Sequence, residues 1–337
     1  MHEVTAATSS VDVKSPAASL PRTHAKKPRR GGPARFGSSV PFYLFVSPWV
    51  IGTVLLTVFP LGYAFVVSLT NWDGLSPGFT WLGLGNYAQV LADPETWASL
   101  GRTGLLALIV VPATVVGSLG LAILLNQKVR LRAAWRTLIY LPALVPPVAA
   151  TLTWKLIFDR DAGAVNALTG LFGAEPVNWL TGNQVFVVLA IVLFWGVGAG
   201  VIILLAALQD VPTSLLEAAE LDGASAWRRF VSVTVPSISP VLLFQVVTTT
   251  IAVLQTFVPA LLLSPMTGPA AITSVPIANR LFMVDVYSQY FAYSRYGYAS
   301  AMLWMFFVLI LIVTAVFFRL GGRAVFYAVD PNEEGKK

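Results

Sequence analysis

Gln209-Asp210-Val211-Pro212-Thr213-Ser214-Leu215-Leu216-Glu217-Ala218-Ala219-Glu220-Leu221-Asp222-Gly223-Ala224-Ser225-Ala226-Trp227-Arg228-Arg229-Phe230 holds every charged residue between positions 176 and 279. It separates two long uncharged apolar runs, 176–209 and 230–279. Its punctuation is helical. Ser214 and Glu217 fit a capping box, S-x-x-E. Gly223 fits a helix stop, where a positive φ costs glycine little. Ser225 can cap a second short helix ending before Pro236. The stretch therefore predicts a polar helix–turn–helix between two apolar helices.

Outward from this loop, uncharged runs fall at 36–72, 103–127, 137–154, 176–209, 230–279 and 296–318. Crossing about 30 Å of hydrocarbon takes about 20 apolar residues. A charge at mid-span costs about 2.5–3.5 kcal/mol on insertion scales. The runs predict six spans, near 42–70, 103–126, 137–158, 183–208, 237–263 and 297–319, with Lys155 snorkelling from the end of the third. Backbone groups cannot stay unpaired in lipid, so runs of this length are helices. The whole composition agrees: of 337 residues 56% are hydrophobic and 11% charged, with a mean hydropathy of +0.73. A soluble domain carries about 25% charged residues. Cysteine is absent and the two histidines, His2 and His24, lie in the polar N-terminal stretch. Thiolate chemistry is excluded, and no histidine serves the apolar body as a metal ligand or base.

Placing both termini inside puts 17 of the 22 lysines and arginines on the inner side, as the positive-inside rule asks. The expected class is an all-α integral membrane protein of the cell membrane, multi-pass, N-in and C-in, with the helix–turn–helix on the cytoplasmic face between helices four and five. The expected organisation is a disordered cytoplasmic tail (1–38), a first transmembrane helix (39–72) and an extracytoplasmic segment (73–102). A five-helix core (103–320) follows, including the loop 209–236, and then a cytoplasmic tail (321–337). The tail 1–38 is not read as a cleaved signal, because the apolar run after it far exceeds a signal core of about 7–15 residues. Its Lys26–Arg30 cluster suits anionic lipid or simply reflects topology; no nucleic-acid partner is expected.

The loop resembles the E-A-A-x-x-x-G signature of ABC importer permeases in its extended form, with Glu217, Ala218, Ala219, Asp222, Gly223, Ala224, Phe230 and Pro236 in register. Trp81-Leu82-Gly83-Leu84-Gly85-Asn86-Tyr87, Leu141-Pro142-Ala143-Leu144-Val145-Pro146-Pro147 and Phe291–Ala301 look like segments of the sugar-type (maltose-like) permeases. The likeness covers roughly 40–320. It departs at Met266-Thr267-Gly268-Pro269, where the family often has T-G-G-G-P, and at 282–290, which look like added material.

The resemblance implies a carbohydrate importer's membrane subunit, working with a second homologous permease, a dimer of cytoplasmic ABC ATPases and an extracytoplasmic solute-binding protein. It implies that Glu217 pairs with an arginine of the ATPase, that Ala218 and Ala219 allow close docking, that Gly223 makes the turn, and that Asp222 caps or contacts the partner. The chain has no G-x-x-x-x-G-K-[ST] phosphate loop; its one Gly-Lys is Gly335-Lys336. No cofactor and no enzymatic activity are expected in this chain, with ATP and Mg used by the partner ATPase.

The substrate path is expected along a polar stripe of span five. Gln245, Thr248, Thr249, Ala252 and Thr256 share one helical face, flanked by Gln255. Neutral hydrogen-bonding groups suit sugar hydroxyls, and Trp154 or Trp195 could stack on a sugar ring. The alternative is plain: threonines often bond back to their own helix. Pro60, Pro112, Pro146 and Pro147 are expected kinks, as static shaping or as hinges. Two other classes compete. An ion-coupled secondary transporter would place Asp, Glu or His mid-span, and none stands there. A membrane enzyme would need a catalytic cluster, for which Asp159 and Asp161 beside Arg160 are the best remaining pair.

Overall fold

The computed structural model describes residues 40–127, 130–266 and 270–322. The expected tail 1–38, most of Met266–Pro269 and all but two residues of 321–337 lie outside them. The chain divides into two units, up to Thr57 and from Val58. The first contains α1 (Val40–Thr53), an apolar helix with Pro48 inside it.

The second unit holds, in order, α2 (Phe59–Ser68), α3 (Gly85–Ala92), α4 (Pro94–Asn126), α5 (Arg132–Leu144), α6 (Pro147–Ile157) and α7 (Ala164–Gly170). There follow α8 (Gln184–Trp195), α9 (Gly198–Gln209), α10 (Thr213–Leu221), α11 (Ala226–Arg229), α12 (Val235–Leu254), α13 (Val258–Leu262), α14 (Ala270–Thr273), α15 (Phe282–Phe291) and α16 (Tyr296–Gly321). Among the described residues there is no β-strand. Phe42–Ser68, Pro94–Asn126, Ala226–Leu262 and Tyr296–Gly321 are each long and apolar enough to cross a bilayer. Two bent helix pairs, α5 with α6 and α8 with α9, bring the number to six if each pair is one span.

A kink was expected at Pro146–Pro147, and the other breaks in the spans were not. The third span is broken by 96° between α5 and α6, because Pro146 and Pro147 donate no backbone bond and push Val145 into extended backbone, φ −74°, ψ 128°. The fourth bends by 42° at Gly196–Val197. The fifth helix does not restart after Pro236. α11 runs through a wide helical turn at Phe230–Thr234 into α12, and the widened turn absorbs the bond Pro236 cannot make. At its other end the helix is interrupted at Gln255–Phe257, before Pro259, which removes the bond to the Gln255 carbonyl. α4 starts at Pro94 rather than near 103, capped by Asp93 Oδ1, which accepts from Glu95 N at 3.0 Å.

α4 is the spine, roughly 50 Å long at about 1.5 Å per residue, and packs against α8, α9, α12 and α15. Leu106, Val110, Leu189, Val253 and Leu263 form one apolar cluster. Leu125, Val201, Leu204 and Ile238 form another toward α10. The third joins α15 to α16 through Phe282 and Phe306, stacked at 4.5 Å. Residues 282–290 form a packed helix with Phe282, Val284, Asp285 and Val286 buried.

The end of the bundle remote from α10 is a clamp. Asn86, buried, donates from Nδ2 to the carbonyls of Ser68 at 2.8 Å and Thr70 at 2.7 Å. Ser68 ends α2 and Thr70 lies just beyond it, where carbonyls have no intrahelical partner. The Tyr87 and Ser68 hydroxyls meet at 2.7 Å. Gly297 N donates to Trp72 O at 3.0 Å, and the Tyr298 hydroxyl donates to Asp93 Oδ2 at 2.9 Å. Two of the segments noted in the sequence, Trp81–Tyr87 and Phe291–Ala301, therefore meet at one junction.

Candidate transport cleft and loop helix

The loop folds as helix, turn, helix. α10 begins at Thr213 behind Pro212, and no side-chain cap bonds are made there. The capping box expected of Ser214 and Glu217 is therefore not formed; Ser214 falls inside the helix because proline already sets the entry. Glu217, Ala218, Asp222 and Gly223 are exposed and Ala219 is half-buried. The Glu217 carboxylate has no hydrogen bond or ion pair among the described residues, whereas Glu220 pairs with Arg229 and ties α10 to the helix that follows. Gly223 has φ +76°. Its N–H bonds Glu220 O, and Ala224 N–H bonds Ala219 O, both at 3.0 Å, the Schellman pattern that glycine permits. Ser225 Oγ caps α11 by accepting from Arg228 N at 3.4 Å.

Gln245, Thr248, Thr249, Ala252 and Thr256 line one cleft of about 340 Å³, facing Val110 and Thr114 of α4 and Gly196, Val197, Ala199 and Gly200 at the bend of the fourth span. No charged side chain is among its described lining residues. Thr248 Oγ1 donates to Phe244 O at 2.9 Å, and Thr256 Oγ1 to Ala252 O at 3.3 Å. The back-bonding alternative is thus realised, yet each hydroxyl oxygen keeps acceptor capacity. Trp195 lines a neighbouring cleft of about 250 Å³ that shares Leu193, Gly196 and Ala199 with the first. Trp154 is half-buried, edge-to-face with Trp195 at 6.0 Å and stacked on Phe158 at 5.8 Å. Gln255 lies apart, exposed at the helix interruption, lining a separate cleft with Leu61, Phe257 and Trp304.

Sequence reasoning missed Asp285. It is buried on α15, outside the spans. Burial raises its pKa; the Gln289 hydrogen bond opposes this, Glu95 and Asp93 reinforce it, and Arg280 opposes it. The only signal was an acid inside a stretch with helical apolar spacing. A raised native pKa means that the folded state holds this proton more tightly than the unfolded chain. Stability is expected to fall as pH rises above the ordinary carboxylate range. Asp285→Asn should flatten that fall and raise the thermal midpoint at neutral pH. Thermal unfolding of the purified transporter across a pH series checks this.

Bent apolar spans around an uncharged polar cleft, with an exposed helix in the loop between two of them, define a multi-pass membrane transport subunit. The comparisons agree. Residues 113–325 match the family described as binding-protein-dependent transport system inner membrane component. A probable ABC transporter permease protein, YesP of Bacillus subtilis, is 33% identical over 290 residues, 85% of this chain and 91% of that one. The trehalose/maltose transport system permease protein MalF of Thermococcus litoralis is 30% identical, covering 83% of this chain and 92% of that one. A bacterial ABC transporter involved in import of the acidic polysaccharide alginate shares the fold, with a TM-score of 0.67 at 19% identity, over 85% of this chain and 96% of that one. The chain belongs to the family of binding-protein-dependent transport system inner membrane components.

Proposed function

We propose that this subunit carries a neutral carbohydrate through the Gln245–Thr256 cleft, with both termini and the α10–α11 loop in the cytoplasm. A second homologous permease completes the channel. A solute-binding protein delivers the sugar from outside, and a cytoplasmic ATPase dimer supplies ATP hydrolysis with Mg, leaving this chain non-catalytic. The observation that carries the reading is the cleft itself, walled by an amide and threonine hydroxyls and lined by no described charge. Sugar hydroxyls both donate and accept, as those groups do, whereas a carboxylated sugar would find no counter-charge. Two relatives are named as trehalose/maltose and lactose transport system permeases.

Glu217 is the partner-facing charge of the loop, with Ala218 and Ala219 as the close-contact surface and Asp222 and Gly223 as its turn. Support comes from the exposure of the loop helix and from a Glu217 carboxylate with no partner among the described residues. Reconstitution of the complete transporter in liposomes tests the reading, using radiolabelled maltose, trehalose and lactose and an alginate oligosaccharide. ATP-dependent uptake of one or more neutral sugars is expected. Uptake of the acidic oligosaccharide alone would overturn it.

A further inference from the structure

Gln245 is 3% exposed, and neither its Oε1 nor its Nε2 has a hydrogen-bond partner among the described residues. Unpaired buried amides are rare and call for a cause. Its cover is Gly200 of α9. A Cβ there would lie 2.1 Å from Gln245 Nε2 and 2.7 Å from Ser118 Oγ. Ser118, itself buried, donates to Val197 O at 3.2 Å. A second polar atom without a partner among the described residues, Thr114 Oγ1, lines the same cleft from α4. The cover is part of a hinge-like sequence, Gly196-Val197-Gly198-Ala199-Gly200, where the fourth span bends by 42°, and every residue of that run except Gly198 lines the cleft. Glycines at a helix bend let the backbone move with little steric cost.

We propose that Gln245 is a concealed recognition residue: α9 shifts at its glycine bend, uncovers the amide, and Oε1 and Nε2 then meet the paired hydroxyls of a neutral polyhydroxylated ligand. The inference rests on the cleft being the sugar path. An amide donates through one end and accepts through the other, so adjacent hydroxyls satisfy both ends and a carboxylate only one. The covered state leaves both ends unpaired, which biases the hinge toward opening when a ligand is there to pair them.

The chain has no cysteine, so single thiols report directly. Gln245→Cys, Ser118→Cys and Thr249→Cys are each placed in the complete transporter. Each is treated with a small methanethiosulfonate reagent in the resting state and after trapping with ATP and vanadate, and modification of this chain is read by mass spectrometry. Gln245→Cys and Ser118→Cys should react at rates differing by about tenfold or more between the two states, as when a minor conformer of roughly a tenth becomes the major one. Thr249→Cys, on the open cleft wall, should react in both. Equal rates in the two states at both concealed positions, with Thr249→Cys reactive, overturn the cover and leave the cleft standing. A Thr249→Cys that never reacts overturns the cleft reading itself. Ser118→Cys carries the test alone if Gln245→Cys does not assemble.

Discussion

Gly297→Ala is expected to prevent accumulation of the folded subunit. The added Cβ would lie 2.0 Å from Thr70 O and 3.2 Å from Asn86 Nδ2. Neither neighbour can retreat. The Thr70 carbonyl is held by Asn86 at 2.7 Å, and its chain is pinned by the Gly297 N–H bond to Trp72 O. Overpacking against a side chain costs about 1–3 kcal/mol, and stranding the buried Asn86 amide adds about 1–3 kcal/mol more. A combined loss of about 2–6 kcal/mol is a large part of the about 5–15 kcal/mol that holds a domain folded. Gly104→Ala is the control: beyond its own turn of helix, no atom of the described residues lies within 4 Å of its Cβ position, and alanine is the better helix former. Membrane yield and thermal midpoints of the two variants, read by fluorescence-detected size exclusion, check the prediction. Equal midpoints would show that the clamp does not bear on stability.

Glu217→Lys should release the ATPase. Breaking a close interfacial charge pair costs about 2–5 kcal/mol, so affinity is expected to fall about thirtyfold or more. Copurification of the ATPase and ATP-dependent uptake should be lost together while the subunit still reaches the membrane. Gly223 should grade by backbone rather than by size, because beyond its chain neighbours no atom of the described residues lies within 4 Å of its Cβ position and φ is +76°. Gly223→Asn should keep much of the uptake, since asparagine tolerates the left-handed region, while Gly223→Val should lose most of it. Retained copurification and unchanged uptake in Glu217→Lys and Gly223→Val alike would remove the coupling role.

The sequence was most legible where chemistry is local. Charges are costly in lipid wherever the chain goes, so uncharged runs located the spans. Gly223 was read correctly because a positive φ is a demand on one residue. The capping box failed for an equally local reason: Pro212 had already set the helix entry, leaving Glu217 free at the surface. Pro146 and Pro147 announced a kink but not its 96°, and the interruption at Gln255–Phe257 was not expected, since the sequence reads span five as one helix to 263. Proline removes a bond and forbids a backbone region, and the angle then depends on what packs on either side.

The polar stripe marks the division within the site. Its 3.6-residue spacing grouped Gln245, Thr248, Thr249 and Thr256 on one face, and the cleft brings them together. Flanking Gln255 was sent to another cleft by the interruption before Pro259. Asp285, Gly200 and the Asn86–Gly297 clamp had no such periodicity to reveal them. Their roles rest on neighbours far away in the chain, such as Thr70 against Gly297. Residue sequence alone determined the membrane class, the number of apolar runs and the polar loop between two of them, because each follows from the solvation cost of single side chains. Which helices break, which polar groups share a cleft and which amide is left unpaired were decided by tertiary packing, because those depend on distances between residues that the chain order leaves open.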